Sequence, residues 1–217
     1  MAKYVIINTD NTIKSRKMSE IEEYNKKIRM LKKRKVKLMC KPLEKIRGKS
    51  ADEILKLVGI SDEVPMPLDP ILEYFNISAN PFDFTSIESL DGMVDVVKKR
   101  GNILGMIMSK DDHAGIFYRH SDTPHRQRFT IAHELGHCAL ADGLIEEFIE
   151  FRHDEASEDP LEVAVNIFAG ELLIPKKSLL NLYEAMKIPC TCLLSELFGV
   201  SQNVMRERMK VLGLTHV

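Results

Sequence analysis

The chain lacks a cysteine framework. Its four cysteines, Cys40, Cys138, Cys190 and Cys192, fall at no spacing that a disulfide-stapled domain or a zinc knuckle uses. Cys190 and Cys192 stand too close in sequence for an ordinary disulfide, so free thiols are expected. Long apolar runs are also missing. None approaches the ~18 residues of a membrane helix, so no membrane span is expected. The opening residues, Met1-Ala-Lys-Tyr-Val-Ile-Ile7, do not follow a signal-peptide pattern. These absences together point to a cytoplasmic protein. Net charge is nearly absent too, at −1, but that balance hides an asymmetry. Fifteen Lys or Arg and only four Glu lie between Lys14 and Lys49, so the rest of the chain is acidic.

What is present starts with His133-Glu-Leu-Gly-His137. On a helix, residues i and i+4 lie on one face, a turn apart. Two neutral imidazoles so placed can grip one zinc ion, and Glu134 beside them can take a proton from an activated water. Three fixed residues can occur by chance, but the context favours the site. Phe129, Ile131, Ala132, Leu135, Ala139 and Leu140 give the apolar background of a half-buried helix. Thr123-Pro124 offers a helix start and Asp142-Gly143 a stop. Gly136 is read as leaving room beside the metal.

A catalytic zinc needs a third protein ligand and an open position. The metzincin pattern would require Gly at 140 and His at 143, and the chain has Leu140 and Gly143, so that class is excluded. Downstream candidates are His153, Asp154, Glu155, Glu158, Asp159, Glu162 and Glu171. Most lie in a run, His153 to Asp159, that reads as a solvated acidic loop. Glu162 instead opens an apolar helical segment, Leu161 to Ile174, with Pro160 in its first turn and Pro175 at its end. Glu162 and Asn166 share one face of that helix, and Asn166 could orient a neighbouring group. The competing reading of Glu162 is a first-turn carboxylate that complements the helix dipole.

The two blocks, Arg128-Phe-Thr-Ile-Ala-His-Glu-Leu-Gly-His137 and Glu162-Val-Ala-Val-Asn-Ile-Phe-Ala-Gly-Glu-Leu-Leu-Ile-Pro175, resemble the ImmA/IrrE family of metallopeptidases. The resemblance covers residues 60 to 215 in organisation and is sharp over 126–137 and 162–175. A variable acidic loop joins such blocks in the family. Gly170 departs from the pattern, which more often has Ala there; it is a packing position. The resemblance implies a Zn2+ site of His133, His137 and Glu162 with Glu134 as catalytic base. It also implies a substrate, a cognate helix-turn-helix repressor whose cleavage relieves repression.

Along the chain, residues 3–9 read as a short strand and Ser19 to Cys40 as a charged helix with acidic residues early and basic ones late. The basic run Arg29 to Lys41 could touch DNA, dock a partner, or simply be a solvated face. Helices are expected over Ser50 to Val58 and Asp69 to Phe75. Strands are expected at Gly92 to Val97, Ile103 to Met108 and Gly115 to Tyr118, an antiparallel meander ahead of the active-site helix. The tail has a helix, a turn at Gly199, a cap at Ser201 and a second helix bearing Arg206, Arg208 and Lys210. That helix-turn-helix-like pattern suits a DNA groove or plain packing.

The expected fold is therefore α+β and zincin-like, mainly helical, with a small three-stranded antiparallel sheet. Its parts are a basic helical extension (1–60), a peptidase core (61–178) and a helical C-terminal segment (179–217). A DNA-binding regulator or partner-binding protein that keeps the zinc fold is the competing function. Tyr118, His120, His125 and Arg126 are near enough in sequence to be considered for oxyanion stabilisation, and none is assigned.

Overall fold

A computed structural model describes residues 41–83, 103–110, 113–140, 148–153 and 159–214. The expected strands at 3–9 and 92–97 and the basic helix at 19–40 lie outside the described residues.

Three short helices lead in: α1 (Lys41–Ile46), α2 (Ala51–Val58) and α3 (Asp69–Phe75). The start of α2 is fixed by a reciprocal capping box. Glu53 N–H donates to Ser50 Oγ at 3.3 Å, and Ser50 N–H donates to Glu53 Oε2 at 2.9 Å. Asn76 ends α3 in the left-handed region, at φ 54°, and turns the chain directly into a strand.

The sheet contains β1 (Ile77–Phe82), β2 (Ile103–Lys110), β3 (His113–Arg119) and β4 (Phe148–His153). Its order is β1-β3-β2-β4. The hairpin β2–β3 is antiparallel, with Lys110 opposite His113, as the sequence pattern predicts. Two features correct the expected three-stranded antiparallel meander. β1 pairs with β3 in parallel, Ile77 opposite Ala114, so the sheet is mixed. β1 was hidden because Ser78-Ala-Asn-Pro81 has little strand propensity; a Pro is tolerated because β1 is an edge. β4 pairs antiparallel with β2 and closes the other edge, inside the stretch expected to be loop. Its alternation, Phe-Ile-Glu-Phe-Arg-His, is only six residues long and lies in an acidic neighbourhood.

Five helices complete the core: α4 (Pro124–Leu140), α5 (Pro160–Leu173), α6 (Lys176–Ala185), and the pair α7 (Thr191–Phe198) and α8 (Gln202–Val211). α4 packs on the sheet through β2 and β3 and on α5 through another face. Every residue from Thr130 to Leu140 is consequently buried, so the expected half-buried helix is buried all round. Among the described residues, no helix is long and apolar enough to cross a membrane.

One apolar cluster runs from Leu43 to Met209 and takes in Phe198, Val200, Met205 and Met209 of the C-terminal pair. The turn at Gly199 (φ 64°) and the Ser201 cap form as expected. Arg128 of α4 holds that turn: its Nε donates to Gly199 O at 3.1 Å and its Nη2 to Met66 O at 2.7 Å. Burial lowers the Arg128 pKa, and Asp69 opposes the shift. Arg208 is buried and donates to Ile174 O at 3.1 Å and to Glu171 Oε1 at 3.2 Å. The cysteine expectation is corrected here. Cys190 and Cys192 form a disulfide, while Cys138 is buried on α4. Cys190 is extended and caps α7 from outside, whereas Cys192 lies inside its first turn. Their Cα atoms are 5.4 Å apart, within the range a disulfide spans.

Replacing Arg128 by Met should cost about 2–3 kcal/mol, because it leaves two carbonyls without a charged donor. Replacing half-buried Arg206, which bonds Gln202 on its own helix, by Met should change stability by less than about 0.5 kcal/mol. Urea denaturation of the two variants checks the contrast, and equal shifts would refute the Arg128 clamp.

Candidate metal centre

α4 presents His133 and His137 on one face, with Nε2 atoms 3.0 Å apart and ring centroids 4.8 Å apart. Both rings are only 1% exposed. α5 supplies Glu162, whose Oε2 lies 3.3 Å from His133 Nε2 and whose Oε1 lies 3.3 Å from His137 Nε2. Two atoms each bonded to one tetrahedral zinc at about 2.0–2.2 Å would lie about 3.3–3.5 Å apart. The His–Glu separations match this spacing and the 3.0 Å between the two Nε2 atoms is a few tenths of an ångström short of it, so the three residues fit a metal ion with a small adjustment. They form the one potential metal-ligand group among the described residues. The side chain of Glu162 is 22% exposed, so the centre opens to solvent on the α5 side.

The tautomer of His133 is set by a neighbour. Its Nδ1 lies 3.0 Å from Asn166 Oδ1, and an amide oxygen can only accept. Nδ1 therefore carries a proton whether the ring is charged or neutral, and in the neutral ring the Nε2 lone pair is left for a ligand role; when the ring is charged, Nε2–H faces Glu162 instead. Asn166 reaches His133 because it stands one turn beyond Glu162 on the same face of α5. Burial pushes the Glu162 carboxyl up, but hydrogen bonds and charge from His133 and His137 outweigh it. They hold the group well below the usual carboxylate range. A depressed carboxyl stabilises the fold at neutral pH and loses that contribution only as the pH falls through its folded value.

Gly136 does not line the metal centre, contrary to expectation. A Cβ there would meet Val165 Cγ1 at 3.0 Å and Phe168 Cδ1 at 3.1 Å on α5. Its role is to let the two helices cross closely enough for Glu162 to reach both imidazoles. Glu134 is fully buried, and its Oε1 lies against β2, 2.9 Å from where a Cβ on Gly105 would stand. Sequence reasoning passed over Gly105. The only signal was a glycine inside a strand pattern, which can mark a close approach.

The other candidates are accounted for elsewhere. Asp159 caps α5, accepting from Leu161 N–H at 2.9 Å, and Glu171 pairs with Arg208. His153 stands on β4, and residues 154–158 lie outside the described set. Of the groups considered for the oxyanion, Arg126 lies 3.6 Å from Asp122 and His125 lies 4.0 Å from Glu196. His120 is exposed and Tyr118 half-buried.

The Peptidase M78 family model, described as the IrrE N-terminal-like domain, matches residues 94–210, which include every residue of this centre. The chain belongs to that family. Membership in the IrrE-like peptidases implies a metal ion, and the centre above is where the residues fit one. The chain is also similar to the radiation response metalloprotease IrrE of Deinococcus radiodurans, with 32% identity over 75 residues. That stretch is 34% of this chain and 23% of the relative, so the match spans about a quarter of that protein's length.

The two glycines on α4 and α5 should respond oppositely to alanine. In a helix interior Gly→Ala normally gains up to about 1 kcal/mol. At Gly136 the overpacking cost of about 1–3 kcal/mol wins, so Gly136→Ala should destabilise. At Gly170 a Cβ meets nothing within 4 Å, so Gly170→Ala should stabilise by about 0.5–1 kcal/mol. Chemical denaturation of the two variants reads the sign of each change.

Proposed function

We propose that the chain is a zinc-dependent endopeptidase that cuts a specific protein, a cognate helix-turn-helix repressor, and so relieves repression. The observation that carries the hydrolytic part is the convergence of His133, His137 and Glu162 at tetrahedral-ligand spacing, one residue from a buried carboxylate. The substrate class rests on the family resemblance of the two sequence blocks.

His133, His137 and Glu162 would hold the ion. Zinc, when bound, polarises a scissile carbonyl and makes water a nucleophile near neutral pH. Glu134 accepts a proton from the attacking water on a carboxylate oxygen and delivers it to the leaving amine nitrogen. Asn166 keeps His133 in the tautomer that leaves Nε2 free. The competing reading as a DNA-binding regulator draws less support. It is motivated by the basic arm, which lies outside the described residues, and by three basic residues of the tail, of which Arg208 is buried against Ile174 and Glu171.

Protein purified without chelator should carry about one equivalent of zinc by elemental analysis, as a single three-ligand site requires. Glu162→Ala should lose that metal and His153→Ala should keep it. Glu134→Gln should keep the metal and lose cleavage by at least about 100-fold. Undiminished cleavage by metal-loaded Glu134→Gln would sink the mechanism. Asn166→Ala should weaken zinc binding by about 10- to 100-fold in competition with a chromophoric chelator. The substrate itself is sought as the small repressor encoded beside the gene, incubated with wild-type protein and with Glu134→Gln.

A further inference from the structure

The face of α4 that carries Thr130 and Glu134, beside the His133/His137 face, packs on β2. At Gly105 an added Cβ would lie 2.3 Å from Thr130 Cγ2 and 2.9 Å from Glu134 Oε1. Both separations are shorter than real Cβ contacts, so something would have to move. The strand has little freedom to do so. β2 is an interior strand, and Gly105 is paired with Tyr118 on β3 and with Arg152 on β4. The helix has little freedom either, because α5 presses on it at Gly136, where Val165 and Phe168 are already close. With both backbones held, a side chain at 105 can be accommodated only by displacing those of Thr130 and Glu134. Thr130, the nearer of the two, is β-branched and stiff at χ1 and gives way only at a cost, whereas Glu134 presents the far end of a flexible chain, so the carboxylate is displaced readily.

From this packing we infer that Gly105 is a positioning residue for the reaction: the bare backbone of β2 is the seat of the Glu134 carboxylate. Gly105 lies on β2, outside the ligand triad, and acts through Glu134. The ligand triad comes from α4 and α5, so filling the seat leaves the triad intact and misplaces the base. The catalytic half of this inference rests on the peptidase reading above. The steric half does not, and the two are tested separately.

The first measurement needs no activity. Gly105→Ala is made in the Thr130→Ser background, which removes the 2.3 Å contact and leaves the one to Glu134. Its effect on the urea midpoint is then compared with and without Glu134→Ala. The midpoint should fall when the carboxylate is present and fall much less when it is absent. If Gly105→Ala/Thr130→Ser does not fold at all, Glu134→Ala should restore folding. An equal fall in both backgrounds, or no restoration, overturns the inference.

The second measurement uses the repressor substrate and zinc-loaded protein. Gly105→Ala/Thr130→Ser should keep its full metal content and a KM within about twofold of wild type, while kcat falls about 100-fold, as expected for a misplaced general base. Thr130→Ser alone should keep wild-type kcat. Loss of metal, or an unchanged kcat, overturns the inference. Failure of the peptidase reading is visible independently, as cleavage that survives in Glu134→Gln with Gly105 intact.

Discussion

Everything at the metal centre depends on how closely α5 is allowed to approach α4. The first two ligands come from one helix and are guaranteed by its pitch, since residues four apart share a face. The third comes from a different helix, and no local rule places it. Its distance from the imidazoles is set where the helices cross, at Gly136, with Val165 and Phe168 pressed against the missing side chain. That contact also helps to bury the two imidazoles. α4 is covered by the sheet on one side and by α5 on another, and both histidine rings are almost wholly buried.

Burial on that scale creates an electrostatic demand. Two imidazoles and a carboxylate out of water are costly unless they satisfy one another or a cation. The arrangement meets this demand by concentrating it. Glu162 faces both Nε2 atoms, Asn166 occupies His133 Nδ1, and the downward shift of Glu162 records how strongly the pair of rings favours its ionised form. A polar cluster with its lone pairs aimed at one point is poor packing material but a good cation cage. That is the physical reason to read it as a ligand set and not as a satisfied polar core.

The sequence made parts of this legible, and the division follows physical range. Features governed by a few neighbouring residues were readable: the His133/His137 pair, the span of α2, the ends of α3, and the turn at Gly199 with its Ser201 cap. Glu162 and Asn166 were also within reach, because an apolar helix with two polar residues four apart has a defined polar stripe. What depended on distant packing was not. β1 and β4 owe their strand state to pairing with β3 and β2, which overrides their short, polar or proline-bearing sequences. Gly136 and Gly105 looked alike in sequence terms, as glycines inside regular elements, yet each matters for what lies on a different element. The Cys190–Cys192 disulfide depended on one extended residue at a helix boundary, which spacing alone does not reveal.

The C-terminal helix pair shows why pattern and role can part. A helix, a tight glycine turn and a capped second helix with three basic residues describe a DNA reader as well as they describe a packing unit. The distinction lies in where the charges go. Arg208 points inward, onto a backbone carbonyl of Ile174 and the carboxylate of Glu171. Arg206 bonds Gln202, and Lys210 pairs with Glu207, each within the same helix. From the other side, Arg128 reaches into the turn at Gly199, three residues ahead of the second helix. Arg128 stands on the same helix as His133 and His137, and Glu171 and Ile174 belong to α5 and its cap, the element that carries Glu162. The pair is thus bonded to the two elements that build the metal centre. Its arginine contacts hold the far ends of those elements in place, so packing alone already explains why the pattern is there.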